Sequence, residues 1–173
     1  LQGVDVLAQA ILRYDGPPTH WRLIGEGPMK ADCERLLAPL VGTSGPSHVS
    51  FEAWGPLPEL PGRLASADAI LGIFGTSDKA LRVIPNKAYQ GLAIGRAVLT
   101  AATPAFVSEL RANEDHGVFW ARPGDPASVC DAVLRLHRRR DELPSLGKAA
   151  RASYESHYSN RAIAQVLREI LQA

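Results

Sequence analysis

Lys79, Arg82 and Lys87 crowd one polar stretch that runs from Gly75 and Thr76 to Pro85-Asn86-Lys87-Ala88-Tyr89-Gln90. Cations gathered beside glycine, hydroxyl and amide groups suit an anion with several acceptor oxygens, such as a diphosphate. Pro85 fits the first turn of a helix, where its missing N–H would have no partner, and the free amides that follow carry the positive end of the helix dipole. The alternative is a capped surface helix with solvated charges. Position favours a ligand: the stretch leaves the most apolar run of the chain, residues 69–74, and ligands of open α/β sheets bind beyond the carboxyl ends of the strands.

Three other places could face such a ligand. Thr100-Ala101-Ala102-Thr103-Pro104 leads from a strand into a helix, so the Thr103 hydroxyl either meets the ligand or caps the helix. Trp54-Gly55-Pro56-Leu57 follows a strand, and Trp54 with Leu57 either borders a nucleobase or joins the core. Gly25-Glu26-Gly27 begins a dinucleotide-type turn, but Lys30 holds the position of the third glycine, so a tight strand-to-helix turn is the simpler reading. Gly124-Asp125-Pro126 reads as a turn and helix cap.

Other chemistries are not indicated. The histidines at 20, 48, 116, 137 and 157 show no metal spacing and there is no D-x-D triplet, so neither a metal site nor a cofactor is expected. Cys33 and Cys130 lack C-x-x-C spacing and read as free thiols of a reducing compartment. Neither G-x-S-x-G nor G-x-x-x-x-G-K-[ST] occurs, which argues against α/β-hydrolase and P-loop NTPase chemistry.

The elements that must position these groups alternate. Strand-length apolar runs at 20–24, 47–53, 69–74, 97–101 and 117–121 are separated by helical patterns at 4–13, 29–40, 57–67, 86–94, 104–111 and 126–139. Two more helices, 142–157 and 159–172, close the chain. This alternation is the sequence form of parallel βαβ units and predicts one Rossmann-like α/β domain over residues 1–173, with helices on both faces and residues 69–74 in mid-sheet. The 173 residues, 46% hydrophobic and 21% charged with a formal net charge of +1, are ordinary globular values, and nucleic acid is not expected as a partner. The one dense basic run, Arg138-Arg139-Arg140, reads as a solvated helix end. No apolar run approaches the roughly 18 residues that span a bilayer, and a cytoplasmic protein is expected. The opening, Leu1-Gln2-Gly3-Val4-Asp5, starts in mid-pattern, as if a first strand were truncated.

Leu23-Ile24-Gly25-Glu26-Gly27-Pro28, Ser66-Ala67-Asp68-Ala69-Ile70-Leu71, Pro85-Asn86-Lys87 through Gly95-Arg96-Ala97-Val98, and Gly124-Asp125-Pro126, taken in order and spacing, resemble the C-terminal domain of family 4 (group 1) glycosyltransferases. The resemblance covers nearly the whole chain. It implies a GT-B enzyme in which two Rossmann-like domains face across a cleft, the C-terminal one binding the nucleotide-sugar donor. It further implies a hexosyltransferase that moves a sugar from a UDP-sugar or GDP-sugar to an acceptor hydroxyl, retaining configuration and needing no metal. The acceptor would be a lipid-linked or polysaccharide one, bound by the protein's own N-terminal domain, with peripheral membrane association of the full-length protein. Pro85-Asn86-Lys87 is similar to the family's P-[SN]-K motif near the donor diphosphate and sugar, and Gln90 stands where the second acid of its E-x7-E motif falls. Arg82 stands in place of the first, so both motif carboxylates are absent. Gly75, Thr76, Lys79, Arg82, Pro85, Asn86, Lys87, Gln90 and Thr103 are therefore the expected donor contacts, with Trp54 and Leu57 at the base. A non-catalytic Rossmann-like binding or assembly module and one half of a GT-B sugar-nucleotide epimerase are the competing readings.

Overall fold

The computed structural model describes residues 2–172. Strands β1 (Thr19–Ile24), β2 (Ser47–Glu52), β3 (Ala69–Leu71), β4 (Ala97–Ala101) and β5 (Val118–Ala121) alternate with helices, and every pairing is parallel. β1 pairs with β2, from Thr19 opposite Ser47 to Ile24 opposite Glu52, while β4 lies between β3 and β5. Among the described residues these two ladders are not paired to each other. The carbonyl of Gln2 accepts from the Phe74 N–H at 3.0 Å, placing the backbone before α1 (Val4–Arg13) against the end of β3.

Helices cover both faces, and the period of two along the strands sorts side chains between them. Ala97, Leu99 and Ala101 of β4, with Phe119 and Ala121 of β5, pack with Leu7, Ala8 and Ile11 of α1 and Val129, Ala132 and Val133 of α7 (Pro126–Arg138). The intervening Val98 and Val118 pack with Ala88 and Leu92 of α5 (Asn86–Ala93), Leu110 of α6 (Ser108–Ala112) and Ala150 of α8 (Leu143–His157). All five residues of β4 are buried. This is the Rossmann-like α/β arrangement the alternation predicts.

The structure departs from the sequence reading in several elements, each with a local cause. Regular pairing of β3 stops at Leu71 instead of residue 74, because the Thr100 hydroxyl inserts between strands: it donates to the Ile73 carbonyl and accepts from the Ile73 N–H, both at 3.3 Å. Gly72 provides the room, since a Cβ there would overlap the Thr100 side chain. The mid-sheet position expected of residues 69–74 belongs, within this ladder, to β4. The polar stretch is not wholly a loop: Ser77 accepts from the Ala80 N–H at 3.3 Å and starts the short helix α4 (Asp78–Arg82). The helix expected over 104–111 starts at Ser108. Prolines divide two others: α2 (Lys30–Leu37) passes into a 3-10 turn at Ala38–Leu40, and a 3-10 turn at Leu57–Glu59 precedes α3 (Leu60–Ala65). The basic run is not simply solvated, because Arg139 pairs with Asp115 at 2.9 Å and Glu142 at 2.6 Å. Asp125 does cap α7, accepting from the Ser128 N–H at 3.1 Å, and that bond foremost holds its carboxyl below the usual range.

The last helix, α9 (Asn160–Gln172), leaves Ile163, Val166, Leu167 and Ile170 exposed along one face. No helix among the described residues is long and apolar enough to cross a membrane.

Candidate nucleotide-binding site

The C-terminal edge of the β3–β5 ladder is tied together by backbone bonds that extend past the regular strands. Gly72 N–H donates to the Leu99 carbonyl at 2.7 Å, Ala101 N–H to Ile73 at 3.0 Å, Ala102 N–H to Ala121 at 2.8 Å and Gly124 N–H to Phe74 at 2.8 Å. Residues 72–76, 101–103 and 122–124 therefore form one fixed rim. Two glycines make the approach possible. Gly3 caps α1 in the left-handed conformation (φ 68°), and a Cβ on it would overlap the backbone of Phe74 and Gly75. Gly124, also left-handed (φ 71°), leaves the space that the Thr76 methyl group fills.

α5 stands over this rim. Gly91 lets the helix close onto the sheet, for a Cβ there would lie 2.8 Å from Val98 Cγ2 and 3.0 Å from Ile70 Cβ. Lys87 is one helical turn earlier on the same face, toward the carboxyl ends of β3 and β4. Pro85 is the buried N-cap residue and no side chain caps the helix start. Lys87 keeps partial exposure as a residue, yet crowding around its ammonium pushes the group down from 10.5 to about 8. Burial is the sole cause of that shift, and among the described residues no carboxylate or hydrogen-bond acceptor pairs with the ammonium. A desolvated cation without a counter-ion is costly alone and gains most from an arriving anion.

The other expected contacts separate into two groups. Gly75, Thr76, Pro85, Asn86, Lys87 and Gln90 belong to the rim and to α5 above it, with Asn86 exposed and Gln90 half-buried. Lys79 and Arg82 ride on α4 instead: Lys79 is exposed, and Arg82, whose side chain is 74% exposed, sits 3.6 Å from Asp78. Trp54 and Leu57 follow β2 on the other ladder, 64% and 70% exposed, so the core alternative for Trp54 does not hold. Trp54 lies over Gly25, where a Cβ would meet its ring at 3.7 Å, which is the turn reading of Gly25-Glu26-Gly27 with an aromatic neighbour. Thr103 is 4% exposed. It does not cap α6, whose N-cap is Val107, and among the described residues its buried hydroxyl has no hydrogen-bond partner. Gln2, Gly3 and Gly124 complete the rim and are not among the expected contacts; the tight packing of the two glycines leaves no mark in a single sequence beyond the residue type. Among the described residues no three His, Cys, Asp or Glu side chains cluster as metal ligands.

A parallel sheet with helices on both faces, a glycine-lined rim at its strand ends and a lone ammonium above that rim define a Rossmann-like domain suited to an anionic ligand. Residues 1–139 match the family described as "Glycosyl transferases group 1", and the chain belongs to that family. No curated protein sequence matches it. Among solved structures it is similar to HepE from Anabaena in complex with UDP-glucose (TM-score 0.74, 16% identity, covering 99% of this chain and 45% of that one). It is similar also to the catalytic domain of cholesterol-alpha-glucosyltransferase from Helicobacter pylori (TM-score 0.65, 15% identity, 89% and 90% covered). A third is sucrose-phosphate synthase from Thermosynechococcus elongatus (TM-score 0.67, 17% identity, 99% and 42% covered). At these identities the likeness is one of fold. The chain spans a little under half the length of the HepE and synthase chains.

Proposed function

We propose that this chain is the donor-binding, C-terminal half of a two-domain GT-B glycosyltransferase of family 4, and that it holds a nucleoside diphosphate sugar across the rim at the strand ends. The observation that carries this reading is Lys87, an unpaired and desolvated ammonium at the start of α5. Its charge and the uncapped helix start supply what a diphosphate leaving group needs as negative charge develops on it, in surroundings already organised for that charge. Trp54 and Leu57 on the neighbouring ladder offer an exposed apolar surface for the base. The likeness to HepE, whose structure contains UDP-glucose, agrees with this ligand class. An acceptor hydroxyl, held by an N-terminal domain, attacks the sugar with retention and without metal; these finer points follow from the family resemblance.

Titrating the 15N-labelled chain with UDP, UDP-glucose, GDP and GDP-mannose tests the reading. Amide shifts should concentrate in residues 75–90 and 100–105. Absence of any shift at about millimolar ligand, a weak affinity on the scale of such complexes, contradicts it.

One observation favours a second reading, a module that binds the nucleotide sugar without transferring it. Arg82 and Gln90 hold the two positions of the E-x7-E acids, so no motif carboxylate reaches the sugar. Sugar transfer by the full-length parent, lost on Lys87→Met, decides for the enzyme.

A further inference from the structure

The amino-terminal edge of the β3–β5 ladder, opposite the rim, carries cations of its own. Gly95 and Arg96 lead into β4, and α8 crosses this edge on close contacts between glycines and backbone. A Cβ on Gly147 would overlap the Gly95 carbonyl oxygen, and one on Gly117, left-handed at φ 75°, would overlap that of Leu146. Seated so closely, the start of α8 and the end of α5 wall an open groove of about 460 Å³, a size that suits a small molecule.

Arg96, Lys148 and Arg151 line the groove, and no Asp or Glu does. Arg96 donates to the Ala65 carbonyl and Arg151 to the Ala93 carbonyl, which orients both guanidinium groups and leaves further N–H donors on each. Arg151 also pairs with Glu155, one turn along α8. Lys148 is exposed, and among the described residues neither it nor Arg96 pairs with a carboxylate. Capping accounts for Arg151, whose bond satisfies a carbonyl at the negative end of α5. It does not account for Lys148, nor for three like charges from two elements meeting where no acid lines the space. The first turn of α8, in which no side chain caps the N–H groups, forms part of the wall and favours negative charge as well. Beside the cations the wall is apolar, made by Ile94, Leu143 and Pro144.

We infer that this groove is an anion site separate from the rim and takes a phosphate monoester. The phosphate sits among Arg96, Lys148 and Arg151, and the rest of the molecule lies along Ile94, Leu143 and Pro144. Arginine N–H pairs match phosphate oxygens, and a lysine ammonium adds a point charge. A soluble sugar phosphate and a phospholipid headgroup present the same group. The site does not depend on the donor-binding reading, although α5 touches both places, with Lys87 in its first turn and Ile94 as its C-cap.

Titrating the 15N-labelled 173-residue chain with glucose 6-phosphate at about 50 mM ionic strength, where screening of exposed charges is moderate, tests the soluble source. Amides of residues 94–96 and 143–151 should shift and saturate with a dissociation constant of about 0.1–1 mM, a weak site on the usual scale. Glucose and matched sodium chloride should not reproduce the shifts. Sedimentation with phosphatidic acid vesicles, against phosphatidylcholine vesicles, tests the lipid source. Lys148→Gln should weaken the binding seen by about fivefold and Lys148→Glu should abolish it, with the urea midpoint unchanged because the side chain is exposed. Saturable shifts identify a soluble ligand and sedimentation a headgroup. Neither one, shifts confined to residues 75–90, or binding that Lys148→Glu leaves intact overturns the inference.

Discussion

Arg22 and Lys87 are both cations near the carboxyl ends of parallel strands, one on each ladder, and their surroundings are opposite. Arg22 donates to Glu52 through Nε at 2.7 Å and Nη2 at 3.1 Å, while Arg63 reaches the same carboxylate at 3.2 Å. Those hydrogen bonds raise Arg22 above its ordinary value and hold Glu52 below the usual carboxylate range. Lys87 has no such partner, and burial pushes it down to about 8. A cation that brings its own carboxylate belongs to the scaffold and has nothing to gain from an added anion. A desolvated cation without a counter-ion destabilises the empty protein at neutral pH and gains from an arriving anion. The difference assigns roles to two residues that a list of basic side chains would treat alike.

The sharpest way to break this comparison is Lys87→Met. If the ammonium is the diphosphate anchor, nucleotide affinity falls by roughly tenfold to a hundredfold, the range of a charge-assisted hydrogen bond. Stability moves the other way. The folded-state value of Lys87, about 8, lies below the ordinary 10.5, so the charged form is disfavoured by folding: the deficit is complete below about pH 8 and is relieved as pH rises toward 10.5. Removing the amine should therefore raise the stability of the ligand-free chain near neutral pH by about 1–3 kcal/mol, read by urea unfolding. Lower stability together with unchanged affinity would make Lys87 a scaffold residue like Arg22.

The same titration can be reached without mutation. Affinity for the nucleotide should decline as pH rises through about 8, by about tenfold one unit above that value, since only the ammonium serves the anion. Binding stabilises the charged form, so near that pH complex formation should take up a proton, seen as a dependence of calorimetric heat on the ionisation enthalpy of the buffer. No proton uptake would place the anion elsewhere.

On the other ladder, Glu52→Gln should leave nucleotide affinity unchanged and lower stability by about 1–2 kcal/mol, because Arg22 and Arg63 lose their shared counter-ion while remaining half-buried. The Glu52 contribution has the sign usual for carboxylates: its folded value lies below the ordinary 4.5, so its stabilisation is present above that pH and lost as pH falls through the folded value. A change in nucleotide affinity would mean that this half of the rim carries ligand charge as well.

The sequence carried the alternation of strands and helices, since strand-length apolar runs and helical periods differ in length and spacing. It carried the start of α5 too, because Pro85 before Asn86 and Lys87 is a local signal. It did not carry which cations are free, because that depends on partners far along the chain: Glu52 comes 30 residues after Arg22. Nor did it carry the early stop of regular pairing in β3, set by the Thr100 hydroxyl 27 residues beyond Ile73. Thr103 was legible as a polar residue at a helix approach; that it fails to cap follows only from where α6 begins, at Ser108. Local signals were readable and pairings across the sheet were not.

Lys79 and Arg82 mark the small end of the scale. Both share the polar stretch with Lys87, yet α4 carries them into solvent, and Arg82 stands beside Asp78 at 3.6 Å in a pair typical of exposed helix neighbours. Exposed charges contribute little through water and salt, of order 0.2–1 kcal/mol at most. Lys79→Ala and Arg82→Ala should each weaken nucleotide binding by less than about threefold, and the change should disappear at about 0.5 M salt, where screening reaches only a few ångströms. The effect of Lys87→Met should persist there, because a desolvated contact is screened much less. A loss at Arg82 equal to that at Lys87, and equally resistant to salt, would show that α4 folds over the ligand, and the contrast between a lone desolvated cation and its exposed neighbours would fail.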